Sequence, residues 1–131
     1  MTLQPTTFLR RTLAVDALIS GATGVLLLVG AGLLSPLLDV PVSLLRYAGV
    51  VLVPFALWVG LVARSPNVSR SSVLAIIGLN AAWVIGSAWL ALGGAIQPNV
   101  LGYAFIVVQA IAVAGLAEFQ YVGLRKASVA R

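Results

Sequence analysis

Four long apolar segments, separated by short polar ones, make up most of this chain of 131 residues. The apolar segments span residues 12–34, 44–63, 72–93 and 100–124. Each is close in length to the roughly 20 apolar residues that an α-helix needs to cross the hydrocarbon core of a bilayer. The pattern therefore predicts an all-α polytopic membrane protein. We expect an antiparallel bundle of four transmembrane helices that forms a single domain over residues 1–131.

The connections between these segments contain residues that end or begin helices. Pro36 and Pro41 make a helix through the first connection unfavourable, and Ser43 is a candidate N-cap for the second helix. Gly93 is placed to end the third helix, and Asn99 is a candidate N-cap for the fourth. Because all the connections are short, we expect sequential helices to pack as antiparallel neighbours.

Pro54 lies near the middle of the second predicted helix. Proline has no N–H to donate to the carbonyl of Val50, so we expect a kink at this point. The simpler interpretation is that the kink serves helix packing. The alternative is a hinge, which makes Pro54 the candidate hinge of any moving helix.

Seven of the eight basic residues fall on one side of the predicted membrane. They are Arg10, Arg11, Arg64, Arg70, Arg125, Lys126 and Arg131. Connections rich in Lys and Arg stay on the cytoplasmic side, which predicts that both termini are cytoplasmic. With a composition typical of bacteria, we expect a multi-pass protein of the bacterial inner membrane. The basic residues flank apolar segments and form no basic stripe with aromatic residues, so we expect no nucleic-acid partner.

Arg46 is the exception to this charge distribution. It opens the second helix on the other side of the membrane, seven residues after Asp39. An outer ion pair between Asp39 and Arg46 would leave that connection nearly neutral, and a long arginine side chain reaches the interface easily. We expect this pair, in preference to an entrance that attracts anions.

Two acidic residues lie within the predicted helices. Asp16 is about one turn into the first helix, and Glu118 lies at a similar depth in the last. If these two helices are neighbours, the carboxylates can face each other and share a proton or bind a cation. If Arg10 or Arg125 lies between them, the same residues form an inert charge cluster. The sequence leaves both arrangements open, and the ion pair is the simpler of the two.

Asn80 and Gln109 lie near the middle of the third and fourth predicted helices. A hydrogen bond between the two amides would satisfy both and would stabilise the bundle by about 0.6–2 kcal/mol. Alternatively, both contact a substrate in a small polar cavity. The candidate intramembrane polar site therefore comprises Asp16, Asn80, Gln109 and Glu118.

The composition excludes several kinds of chemistry. Of the 131 residues, 61% are hydrophobic and 8% are charged, and none is cysteine or histidine. Thiolate catalysis, disulfides, and zinc or haem ligation by these side chains are therefore excluded. We find no catalytic triad, metal ligand set or phosphate-binding glycine loop, so we expect neither an enzyme nor a bound cofactor or metal.

Two short segments carry a family resemblance. Residues 79–84 (LNAAWV) and 117–121 (AEFQY) resemble segments of uncharacterised small four-helix integral membrane proteins of bacteria. The resemblance implies the same fold and the same location in the membrane. It assigns no functional residue.

Two functions are compatible with these features. The lack of catalytic groups and of a soluble domain favours an accessory or structural subunit in the lipid bilayer, which associates with itself or with a larger membrane complex. The alternative is a small-solute or proton-coupled carrier that uses the candidate polar site, with Pro54 as its hinge. A carrier requires a cavity that reaches the middle of the membrane and is lined by Asn80 and Gln109.

Overall fold

The computed structural model describes residues 2–3 and 6–129, with side-chain surroundings from residue 6 to residue 127. Along the chain the elements are β1 (Thr2–Leu3), α1 (Thr7–Leu38), α2 (Val42–Arg64), β2 (Val68–Ser69), α3 (Arg70–Leu92) and α4 (Val100–Val129). All four helices of the described part are long and apolar enough to cross a membrane. The predicted all-α bundle of transmembrane helices is confirmed, and the protein is a multi-pass membrane protein.

The first connection is shorter than predicted because α1 continues through Pro36 to Leu38. A proline in the last turn removes only one helical hydrogen bond, which the end of a helix tolerates. Asp39 then adopts the left-handed conformation, with a φ of 57°, and ends the helix. Ser43 lies inside α2, whose N-cap position is Pro41, so the predicted Ser43 cap is wrong.

The predicted end of α3 and start of α4 are confirmed, whereas α4 continues past the predicted residue 124 to Val129. Gly93 is the C-cap of α3. The side chain of Asn99 caps α4, since its Oδ1 accepts a hydrogen bond from the backbone N–H of Gly102 at 2.9 Å. Asn99 Nδ2 also donates to the carbonyl oxygen of Leu37 at 2.8 Å. One side chain therefore caps α4 and ties it to the end of α1.

The helices are arranged around the bundle in the order α2, α1, α4, α3. α1 packs along both α2 and α4, and α4 also packs along α3. The first and last helices are therefore neighbours, which the sequence had left open. α2 and α3 contact each other far less than these pairs do, so the expectation that sequential helices pack as neighbours is wrong for this pair. The bundle is consequently open along the side between α2 and α3.

Two apolar cores hold the bundle together. The first lies at the terminal end, by which we mean the end where α1 begins and α4 finishes. Its buried members are Leu9, Leu13, Val59, Val62, Ala63, Val68, Val73, Ile76, Leu124 and Ala127. The second core lies at the opposite end, and its buried members are Leu27, Ala31, Leu38, Val40, Leu45 and Leu52. The middle of the bundle, between these cores, contains the polar side chains described below.

α1 and α2 approach each other closely at two glycines. A Cβ on Gly49 would lie 2.8 Å from the carbonyl oxygen of Gly24 and 2.7 Å from Cγ of Leu28. A Cβ on Gly24 would lie 2.9 Å from Cγ2 of Val53. Glycine lets the two backbones meet at this crossing, as small residues do in many membrane helix pairs. The closely packed α1 and α2 contribute one wall of the cavity that is described in the next subsection.

Candidate functional site

Asp16 lies at the centre of a buried polar network between α1, α3 and α4. Its side chain is 0% exposed. Oδ1 accepts a hydrogen bond from Ser20 Oγ at 2.9 Å. Oδ2 accepts from Asn80 Nδ2 at 2.8 Å and from Gln120 Nε2 at 2.6 Å. Asn80 Nδ2 also donates to Gln120 Oε1 at 3.0 Å, so side chains of three helices are joined in one network.

This network explains how a carboxylate can be buried inside the membrane. Ser20 follows Asp16 by four residues and therefore lies on the same face of α1. Asn80 and Gln120 supply amide donors from two other helices and are themselves only 4% and 0% exposed. Within the described residues, every buried polar side-chain atom has a hydrogen-bond partner. Complete pairing is what the low dielectric of the hydrocarbon region requires.

The three donors to Asp16 are all neutral, which differs from the predicted neutralisation by Arg10 or Arg125. Arg10 instead donates to the carbonyl oxygens of Ala63, at 2.5 Å, and Ser65, at 3.0 Å. Arg125 lies over an aromatic ring of its own helix, 5.8 Å from the ring centroid. The predicted charge cluster is therefore wrong.

Glu118 is exposed on α4 and does not face Asp16. The predicted arrangement in which these two carboxylates share a site is therefore wrong as well. Gln120 takes the expected position of Glu118. Two residues advance about 200° around a helix, so residues 118 and 120 point to nearly opposite sides of α4. The sequence left open whether α1 and α4 are neighbours, and it did not predict the rotation of α4.

A second polar group joins α3 and α4 nearer the opposite end of the bundle. Trp83 Nε1 donates to Gln109 Oε1 at 2.7 Å, and Gln109 Nε2 donates to Ser87 Oγ at 2.9 Å. Ser87 Oγ in turn donates to the backbone carbonyl oxygen of Trp83 at 2.8 Å. The predicted hydrogen bond between Asn80 and Gln109 is wrong, because Asn80 bonds to the Asp16 network and Gln109 belongs to this second group.

A cavity of about 850 Å³ opens between α2 and α3, where the bundle is least closed. Its polar lining residues are Ser20, Thr23, Asn80, Ser87 and Gln109. Its aromatic lining residues are Tyr47, Phe55, Trp58, Trp83, Trp89 and Phe105. The other lining residues are small or aliphatic apart from Pro54, and none of the lining residues is charged. The cavity is therefore an apolar, aromatic space with a few polar groups.

The cavity connects the two polar groups. Ser20 and Asn80 line it and also bond to Asp16, while Ser87 and Gln109 line it from the second group. The lining by Asn80 and Gln109 is the geometry that a carrier requires. Pro54 also lies on the wall, within an α2 that is helical from end to end. Its role as a hinge stays a prediction.

The predicted outer ion pair is not formed. Asp39 is exposed at the C-cap of α1, and Arg46 is exposed in the first turns of α2. Both residues are described, and no salt bridge joins them.

Of the four residues predicted for the polar site, the structure joins Asp16 and Asn80 directly, places Gln109 on the same cavity and leaves Glu118 outside. Gln120, Ser20 and Trp83 complete the site. Comparisons with protein-family models, curated proteins and solved structures give no match to the chain. The chemistry of this site is therefore inferred from its own residues.

Proposed function

We propose that this protein is a membrane-embedded binding protein of the carrier type, whose ligand is a small amphiphilic molecule. The observation that carries the proposal is the cavity of about 850 Å³ between α2 and α3. Sites for small molecules typically have volumes of roughly 300–1,000 Å³, apolar walls and a few polar groups. Because this space opens toward the bilayer between α2 and α3, we expect it to be occupied in the membrane.

The ligand enters from the bilayer, through the side of the bundle. Several cavity residues are also accessible from outside, among them Tyr47, which is 71% exposed, and Trp89, which is 62% exposed. These residues belong to membrane-spanning helices, so the surface around them faces lipid. A molecule that is already dissolved in the bilayer therefore reaches the cavity without crossing water.

The polar groups lie in the depth of the cavity. Asn80 is 4% exposed and Ser87 is 6% exposed, and both lie on α3. A ligand with an apolar body and one hydrogen-bonding group matches both the walls and these side chains. The chain contains no histidine and no cysteine, so a histidine-based triad and a thiolate nucleophile are excluded, and we propose binding without catalysis.

We place the protein in a bacterial inner membrane, with both termini on the cytoplasmic side. The support is the charge distribution, because Arg10, Arg64 and Arg125 all lie at the terminal end of the bundle, whereas Arg46 lies at the opposite end. Basic residues at helix ends favour the cytoplasmic side.

A leucine at position 86 will block the cavity. Gly86 lines the cavity, and a Cβ on Gly86 would meet nothing within 4 Å, so a larger side chain enters open space without a clash. In liposomes that contain a photoreactive long-chain alcohol, we expect labelling of cavity residues such as Val51 and Leu79. Gly86→Leu should reduce this labelling roughly ten-fold, which corresponds to about 1.4 kcal/mol of lost binding free energy. Peptide mass spectrometry measures the labelled positions.

Gly32→Leu is the matched control. A Cβ on Gly32 would also meet nothing within 4 Å, but Gly32 lies on α1 outside the cavity. We expect this variant to be labelled like the wild type, with Leu18 on the exposed face of α1 as the background position. The proposal fails if Leu18 is labelled as strongly as the cavity residues, or if Gly32→Leu reduces labelling as much as Gly86→Leu does.

Assembly with a second copy of the chain is the second candidate function, and it corresponds to the accessory role expected from the sequence. α3 exposes Gly78, Ala82 and Gly86 at intervals of four residues along one face. Nothing lies within 4 Å of a Cβ placed on either glycine. Small residues at this spacing let another helix approach closely. Because Ala82 and Gly86 also line the cavity, a helix seated there would exclude the ligand.

A cysteine at position 82 tests this assembly. The chain has no natural cysteine, so Ala82→Cys carries a single thiol. If two copies meet through α3, oxidation in native membranes should give a disulfide-linked dimer several-fold faster than in Val108→Cys, a control position that is 65% exposed on α4. Equal rates for the two variants would argue against assembly through α3.

A further inference from the structure

Asp16 places a carboxylate beside the cavity, and none of its hydrogen-bond donors in the described part of the chain is cationic. Its three hydrogen-bond donors are the hydroxyl of Ser20 and the amides of Asn80 and Gln120. All three donate to the carboxylate oxygens, and none of the three carries a charge that would balance an ionised Asp16. In the interior of a membrane the dielectric constant is low, so a charge of this kind strongly attracts a counter-charge.

Two residues connect this charge to the cavity. Ser20 and Asn80 each bond to Asp16 and also line the cavity. Both hydrogen bonds of Asn80 use its Nδ2 atom, which leaves the carbonyl oxygen Oδ1 as an acceptor. A ligand group that lies against Ser20 and Asn80 therefore meets an acceptor, with the carboxylate directly behind it.

The walls of the cavity also suit a cation. Tryptophan, tyrosine and phenylalanine rings attract a positive charge through their faces, and all three types line this space. The lining contains no basic side chain that would repel a cation. Charged groups on α1 and α4 lie elsewhere: Arg10 donates to backbone carbonyls, Lys126 Nζ lies 4.9 Å from the ring centroid of Phe8, and Arg11, Glu118 and Arg125 are exposed.

We propose that the ligand of this cavity is a lipophilic cation, with an apolar body and a protonated amine or a quaternary centre. Asp16 balances its charge through the acceptors of Ser20 and Asn80, and the aromatic walls hold its body. This inference rests on the proposed binding function and names the chemical class of the ligand. Asp16 is a positioning charge behind the cavity wall, and Asn80 is the residue that the cationic group touches.

Tryptophan fluorescence reports directly on the cavity, because the chain has three tryptophans and all of them (Trp58, Trp83 and Trp89) line it. The full-length protein in an uncharged maltoside detergent is titrated with tetraphenylphosphonium, with neutral triphenylphosphine oxide and with anionic tetraphenylborate. We expect the cation to bind roughly ten-fold more tightly than the neutral and anionic probes. Asp16→Asn should remove most of that preference and leave the affinity for the neutral probe unchanged.

Two matched variants separate this inference from the proposed function. Glu118→Gln also removes one carboxylate, but an exposed one, and should leave all three affinities unchanged. Gly86→Leu should weaken the binding of every probe and so gives the background from partition into the micelle. Equal affinities for cation and neutral probe in the wild type, or a preference that persists in Asp16→Asn, would overturn the inference while the cavity keeps its role. Titrations that Gly86→Leu does not alter would overturn the binding function itself.

Discussion

Replacing Asn80 with leucine will lower the free energy of unfolding by about 3 kcal/mol, because it removes a donor from a buried carboxylate. Asn80 Nδ2 donates to Asp16 and to Gln120, and leucine offers neither hydrogen bond. Asp16 would then keep its buried position, at 0% exposure, with two donors in place of three. Equilibrium unfolding in mixed micelles of a mild and a denaturing detergent measures the loss.

Gln109→Leu is the control that separates the loss of an amide bonded to a buried carboxylate from the loss of an amide bonded only to neutral groups. Gln109 is also an amide that bonds two side chains between α3 and α4, but its partners Trp83 and Ser87 are neutral. Hydrogen bonds between neutral side chains in membranes contribute about 0.6 kcal/mol on average, so we expect a loss of about 1 kcal/mol. If Asn80→Leu costs no more than Gln109→Leu, the carboxylate does not depend on its donors as we infer.

Removing the carboxylate together with the amide should restore part of the stability. In the double variant Asp16→Leu/Asn80→Leu there is no buried charge left to satisfy, and an apolar pair takes its place. The double variant should therefore be more stable than the sum of the two single losses predicts, with a coupling free energy of about 1–2 kcal/mol. Strict additivity would show that Asp16 and Asn80 do not act on each other.

The apolar pattern was sufficient to predict the class of the fold. An uninterrupted apolar segment in a membrane protein has one stable backbone conformation, since every N–H and C=O must bond within the segment. The number of helices followed from this pattern, and the short connections predicted the packing of α1 on α2 and of α3 on α4. Local chemistry also predicted the cap at Asn99, because an asparagine oxygen just before a helix accepts a hydrogen bond from a backbone N–H of the first turn.

The rotation of each helix about its axis was not predictable from the same pattern. Both faces of a transmembrane helix are apolar, one toward lipid and one toward its neighbours, so periodicity marks the buried face only weakly. Glu118 and Gln120 show the consequence. They lie about 200° apart around α4, and the packing of α4 against α1 determines that Gln120, and not Glu118, contacts Asp16. Asn80 bonds to Asp16, and not to Gln109 as predicted. This choice of partner likewise depends on how α3 and α4 are positioned relative to each other along the bundle axis.

The end of α1 and the start of α4 are in close contact at Gly102, and the sequence did not predict that a glycine is required there. Gly102 is buried, and a Cβ on it would overlap the backbone carbonyl oxygen of Leu38 and lie 2.6 Å from Cβ of Pro98. The same carbonyl oxygen of Leu38 accepts a hydrogen bond from the backbone N–H of Asn99 at 3.2 Å. Because the obstacle is backbone, it cannot move aside as a flexible side chain would.

Gly102→Ala will therefore lower the free energy of unfolding by about 3 kcal/mol, at the upper end of the cost of overpacking. The added methyl group forces Leu38 away and weakens the attachment of Asn99 to the end of α1. Gly115→Ala is the matched control on the same helix, since a Cβ on Gly115 would meet nothing within 4 Å. Alanine favours a helix over glycine by about 1 kcal/mol, so this control should be as stable as the wild type or slightly more stable. Unfolding of both variants in the same micelles measures the difference. Similar stabilities would show that α1 and α4 are not in close contact at Gly102.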